Sequence, residues 1–99
     1  MGIAEFRESL KSTAPPEGLS PALEGLWWDA KGDWTKAHEF AQLDEGPDGS
    51  WVHAYLHRKE GDLANAKYWY HRADRAAAYG VSGREWESIV TWLLRHASP

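Results

Sequence analysis

Histidine is the reactive side chain that this 99-residue chain carries in excess, with five copies. His53 and His57 stand four residues apart, so on a helix they share one face. Two imidazoles at that spacing can share a metal ion, and three nitrogens with a water complete a zinc coordination sphere. His38 is the third candidate ligand, on a preceding helix whose flank is expected to meet the helix of His53 and His57. The metalloprotease form of the motif is absent, because His53-Ala54-Tyr55-Leu56-His57 has no glutamate after its first histidine. No carboxylate that could orient these rings is identifiable from spacing, although metal-bound histidines almost always have one. The three are therefore read first as structural histidines with hydrogen-bond partners such as Tyr55 or Asp29, and no metal or cofactor is assigned. A small helical metal-binding protein or enzyme centred on His53, His57 and His38 stands as the alternative.

Other chemistry is thinly represented. With no cysteine, disulfides, thiolate zinc sites and cysteine nucleophiles drop out together. Ser50, Ser82 and Ser88 fall in cap or helix contexts, without a Gly-x-Ser-x-Gly elbow. Gly-x-Gly-x-x-Gly and Walker A patterns are missing, so no phosphate cradle is indicated. A non-enzymatic protein is the expectation. Trp27, Trp28, Trp34, Trp51, Tyr55, Trp69 and Tyr70 could stack against a peptide or a sugar. With few other large side chains available, most of them are expected in the core.

Charge narrows the partners. Eleven Lys and Arg against 15 Asp and Glu leave a net charge of −4, which disfavours binding to a phosphate backbone. The basic stretch His57-Arg58-Lys59 is offset by Glu60 and Asp62, and Arg72 and Arg75 by Asp74; these read as solvated helix faces. The first 20 residues carry five charged side chains and no signal-peptide core. The longest near-apolar run, Ile89 to Leu94, is far below the ~20 residues of a membrane span. The expectation is a cytoplasmic protein that binds neither nucleic acid nor membrane.

The elements that must position these residues are helical. Only eight residues are Val, Ile or Thr, against 23 Ala and Leu, and that balance favours helix over strand. Residues 3–11 form a short amphipathic N-terminal helix, followed by a Pro-rich linker up to residue 19. Ser20-Pro21 starts a second helix, with a hydroxyl N-cap and proline at the first helical position. Gly32 stops it and Asp33 caps a third. Ser50 or Asp48 opens a fourth, ended by Gly61. Asp62 caps a fifth, predicted to run through Ala73 and Ala77 to Gly80 as its C-terminal glycine. Ser82 and Glu85 read as a capping box for the last helix. Its apolar face is Trp86, Ile89, Val90, Leu93, Leu94 and Ala97. The predicted fold is all-α, with five or six helices in one domain. The predicted core is Leu23, Leu26, Trp34, Ala37, Ala41, Ala54, Ala66, Trp69 or Tyr70, Ala73, Ile89 and Leu93.

Shifting the chain by 29 residues places Gly32-Asp33 on Gly61-Asp62, Ala37 on Ala66 and Phe40 on Trp69. Gly25, Trp28, Gly32-Asp33, Ala37 and Ala41 resemble one tetratricopeptide-type hairpin; Ala54, His57, Gly61-Asp62, Ala66, Tyr70 and Ala73 resemble a second. The run Asn65 to Ala73 is also similar to the second helix of a Sel1-like repeat. The resemblance covers residues 20–79, with a period shorter than the usual ~34 residues. It implies two antiparallel hairpins, with the N-terminal helix and residues 80–99 covering what a third repeat would cover. It also implies a protein-protein interaction module that binds a protein or peptide with the first helix of each hairpin. Carried onto this chain, that face comprises Leu26, Asp29, Trp51, Tyr55 and Arg58. Self-association into a homodimer through Trp27 or Trp51 is the other use of such a surface.

Overall fold

A computed structural model describes residues 1–96 and contains six α-helices with no strand among them. They are α1 (Ile3–Ser9), α2 (Pro21–Ala30), α3 (Trp34–Leu43), α4 (Pro47–Glu60), α5 (Leu63–Ala73) and α6 (Ser82–Arg95). None is long and apolar enough to cross a membrane. Ala97, expected on the apolar face of the last helix, lies outside the described residues.

The two Gly-Asp turns do what their chemistry requires. Gly32 and Gly61 adopt left-handed φ of 87° and 96°, which glycine reaches without a Cβ penalty. The amide one residue later then bonds back into the helix, Asp33 N–H to Trp28 O and Asp62 N–H to His57 O. Each aspartate next caps the following helix, Asp33 accepting from Lys36 N–H and Asp62 from Asn65 N–H. Turns this short fold consecutive helices back on each other, giving the hairpins α2–α3 and α4–α5. Small residues line both contacts: Ala37 and Ala41 sit in the main core, and Ala54 and Ala66 in a second cluster with Tyr70.

Three local expectations are corrected by tertiary contacts. Helix α4 begins at Pro47 with Gly46 as its N-cap, ahead of Asp48 and Ser50. Its first turn packs tightly on Asp44, and a Cβ at Gly49 would lie 1.9 Å from the Asp44 carbonyl oxygen. Helix α5 stops at Ala73, where Asp74 turns left-handed at φ 56°, so Ala77 and Gly80 are not helical. Residues beyond it are held from outside: Arg58 donates to the carbonyls of Ala78 and Gly80. Arg75 lies 3.8 Å over the Trp51 ring and 4.5 Å over Trp92. Finally, Ser82 is the first residue of α6 and Val81 its N-cap, with no side-chain cap bond. Glu85 points inward to Tyr70 and Arg58.

Ten of the predicted core positions are buried: Leu23, Leu26, Ala37, Ala41, Ala54, Ala66, Tyr70, Ala73, Ile89 and Leu93. Trp34 is half-buried, with its indole N–H on Leu56 O. Phe6, Ala22, Trp27, Val52, Tyr55, Leu56, Trp86 and Val90 complete the buried apolar set. Helix α6 packs across α2 and α4, the first helices of both hairpins, and carries α1 on its own flank. Among the described residues, helix α5 packs along α4 and touches α6 only through the Tyr70–Glu85 hydrogen bond. The last helix lies across α2 and α4, and among the described residues no helix packs on the far side of α5.

Candidate functional site

The face predicted to bind a partner is largely filled by the chain itself. Leu26 is fully buried, and its carbonyl accepts the Trp86 indole N–H at 2.9 Å. Tyr55 is buried and donates to Asp29 at 2.5 Å, while Lys59 reaches the other Asp29 oxygen at 2.9 Å. Leu26, Asp29 and Tyr55 are therefore largely enclosed, although Asp29 and Tyr55 still border a cleft with Lys59, Ser82 and Trp86. Trp51 is half-buried against Trp92 and Arg75. Arg58 is committed to Glu85 and to two carbonyls, although its side chain still borders an outer cleft. Trp27, suggested for self-association, has no exposed surface at all.

The histidines do converge. Helical spacing puts His53 and His57 on one face of α4, and the short connection 44–46 brings α3 against α4 with His38 opposite. The Nε2 atoms of His38 and His53 lie 3.2 Å apart, and one ring nitrogen from each of the three histidines falls within 4.8 Å of the others. The rings are fixed by their neighbours. Trp34 stacks on His38 with centroids 5.0 Å apart, and Trp69 stacks on His53 at 4.1 Å. His57 Nδ1 sits 2.9 Å from a Glu60 oxygen, and its Nε2 lies 3.4 Å from Asn65 Nδ2. Glu60 is the carboxylate partner that sequence reading did not find. Its signal was present, since His57 and Glu60 are three apart on one helix, but the stretch read as solvated charge. Tyr55 and Asp29, expected as partners of the histidines, bond to each other instead.

Burial favours the neutral form of His53 and His38. Desolvation, followed by the charges of His38, His57 and Arg72, pushes the His53 pKa down to about 4. Desolvation and then His57 lower that of His38 as well. Neutral imidazoles keep a lone pair available, which is the form that binds metals. A cavity of about 450 Å³, walled by Trp69, Arg72, Gln42 and Asp44, borders His53 alone of the three.

The same shift sets a pH dependence for the metal-free protein. His53 titrates at 6.5 when unfolded and at about 4 when folded. Between those values the unfolded chain binds more protons, so stability falls as pH drops through that window and is unaffected by His53 above it. The loss attributable to His53 should approach roughly 3 kcal/mol by pH 4. Denaturant melts of wild type and His53→Gln, compared at pH 7.5 and pH 4.5, check this. Parallel pH profiles for the two proteins would contradict it.

No protein-family model matches this chain, and neither the curated proteins nor the solved structures contain a match to it. What sequence and structure together define is a small all-helical protein in which one half-buried and two buried histidines converge.

Proposed function

We propose that this chain is a small non-enzymatic protein-protein interaction module of the tetratricopeptide-like type, whose docking surface is the outer side of α5. The observation that carries this reading is that α5 packs along α4 alone, with only the Tyr70–Glu85 hydrogen bond reaching α6, so that its outer side has no helix against it among the described residues. Repeat units of this kind bury their faces by stacking, and a terminal unit without a cap leaves its last helix uncovered. Leu63 and Tyr79 are 68% and 91% exposed, and both line a cleft of about 430 Å³ between α5 and the segment 74–81. Ala66, Tyr70, Ala77 and Ala78 form its floor and walls, which are mostly apolar.

The occupant we assign is an amphipathic helix of a partner protein, in the place a next repeat's first helix would take. Its polar edge should be acidic: Lys67 borders the cleft and no carboxylate does, while Arg58 there is already paired with Glu85. Amphipathic helical peptides of one apolar face, flanked by either Glu or Lys, provide the test. Titration into isotope-labelled protein should show the Glu-flanked peptide binding more tightly, with amide shifts confined to residues 63–70 and 77–81. Lys67→Glu should weaken that binding about tenfold. Equal binding of both peptides, shifts centred elsewhere, or concentration-dependent dimerisation through this cleft would each overturn the assignment.

A further inference from the structure

We propose that His38, His53 and His57 form a transition-metal site of the zinc class, with Glu60 as its supporting carboxylate. The proposal is independent of the docking surface on α5 and rests on donor type, spacing and support.

Three neutral-type nitrogen donors with no thiolate suit zinc and its late first-row neighbours, and do not suit magnesium or calcium, which take oxygen ligands. On a tetrahedral ion with metal–nitrogen bonds of 2.0–2.1 Å, two imidazole nitrogens stand about 3.3 Å apart. The His38 and His53 Nε2 atoms are already 3.2 Å apart. The third ring has a nitrogen within 4.8 Å of both, so closing the site takes movement of the order of an ångström. The ligands come from two helices held together by a short turn and a packed core, so ordering them costs little.

The surroundings support coordination as well. Stacking against Trp34 and Trp69 sets the planes of His38 and His53. The Glu60 oxygen on His57 Nδ1 supplies the negative charge that bound histidines draw on. If Nε2 of His57 takes the metal, Glu60 holds the Nδ1 proton. If Nδ1 takes it, Glu60 is the neighbouring oxygen that can become a fourth ligand. In both cases the charge of Glu60 raises affinity. The cavity beside His53 provides a path from solvent to that ligand. Without a metal, the His38–His53 pair shares one hydrogen bond through its facing nitrogens, and that simpler arrangement is the competing account.

Zinc titrated into chelator-stripped protein decides between them, read by competition against a chromophoric chelator and by thermal melting. One zinc per chain is expected to bind and to raise the melting temperature, with magnesium and calcium producing neither effect. Cobalt(II) should give the visible bands of a tetrahedral nitrogen-rich site. His38→Ala removes a half-exposed ligand, so it should keep the helical spectrum of wild type while losing at least about 100-fold in zinc affinity. Glu60→Gln should lose about 10–100-fold. Failure of wild type to bind at tenfold excess zinc, or binding that His38→Ala leaves unchanged, would overturn the site and leave a hydrogen-bonded trio.

Discussion

Replacing Arg58 with methionine is expected to lower the unfolding free energy by about 3–5 kcal/mol at neutral pH. Arg58 and Glu85 are nearly enclosed, with side chains 12% and 6% exposed. The guanidinium lies 3.3 Å from one Glu85 oxygen, while Tyr70 donates to the other. Removing the cation leaves a buried carboxylate with a single hydrogen bond, and it also frees the Ala78 and Gly80 carbonyls. Burial already pushes the Glu85 pKa up, against the opposing pull of Tyr70 and Arg58. Without Arg58 the rise should be larger, so the folded protein would bind a proton more readily than the unfolded chain. Such a group costs stability above its unfolded pKa and regains it as pH falls. The defect of Arg58→Met should therefore shrink between pH 7 and pH 5, and Arg58→Met/Glu85→Gln should recover much of it at pH 7. Urea melts of the three proteins check both points. A loss under 1 kcal/mol, or one that does not vary with pH, would show that the pair is effectively solvated.

Trp86→Ala should cost a similar amount, about 3–5 kcal/mol, through the cavity left by a buried indole. Trp86 joins three elements: its ring packs on Phe6 of α1 at 5.8 Å, Arg7 lies 5.1 Å over it, and its N–H reaches Leu26 O of α2. The loss should therefore fall on the attachment of both α1 and α6. Faster hydrogen exchange in those helices and in α2, with α4–α5 protected longer, is the expected pattern. Binding of a hydrophobic dye should rise as the face containing Leu26 and Tyr55 becomes accessible. Trp86→Phe keeps most of the packing and loses only the hydrogen bond, so it should cost about 1–1.5 kcal/mol. Uniform exchange across all six helices in Trp86→Ala would instead mean that α6 and the hairpins unfold as one unit.

These two sites explain why α6 sits where it does. A capping helix on α5 would have buried Leu63 and Tyr79, two side chains that are now exposed. Packing across α2 and α4 instead buries Trp86, Ile89, Val90 and Leu93 in one continuous core with Phe6, Leu26 and Tyr55. Burial of that apolar surface is the dominant favourable contribution to folding.

What the sequence by itself determined is local. Gly32-Asp33 and Gly61-Asp62 required turns because only glycine enters the left-handed region freely and aspartate satisfies the exposed amides that follow. Those turns, with the Ala and Leu balance, specified an all-helical chain and put His53 and His57 on one face. Tertiary structure alone decided which surfaces meet. Ser82 and Glu85 have capping-box spacing, yet Glu85 faces Tyr70 and Arg58, because two strong interior partners outweigh one cap bond. Helix α5 has helix-forming alanines beyond Ala73, yet it ends there, since Arg58 and Arg75 hold the next residues against other elements. His38 and Glu60 joined the histidine pair only once α3 lay against α4 and His57 turned toward its neighbour three residues on. Turn and cap signals involve a few adjacent residues and are written in them. The docking of a helix depends on the summed burial of faces far apart in the chain, which no local stretch records.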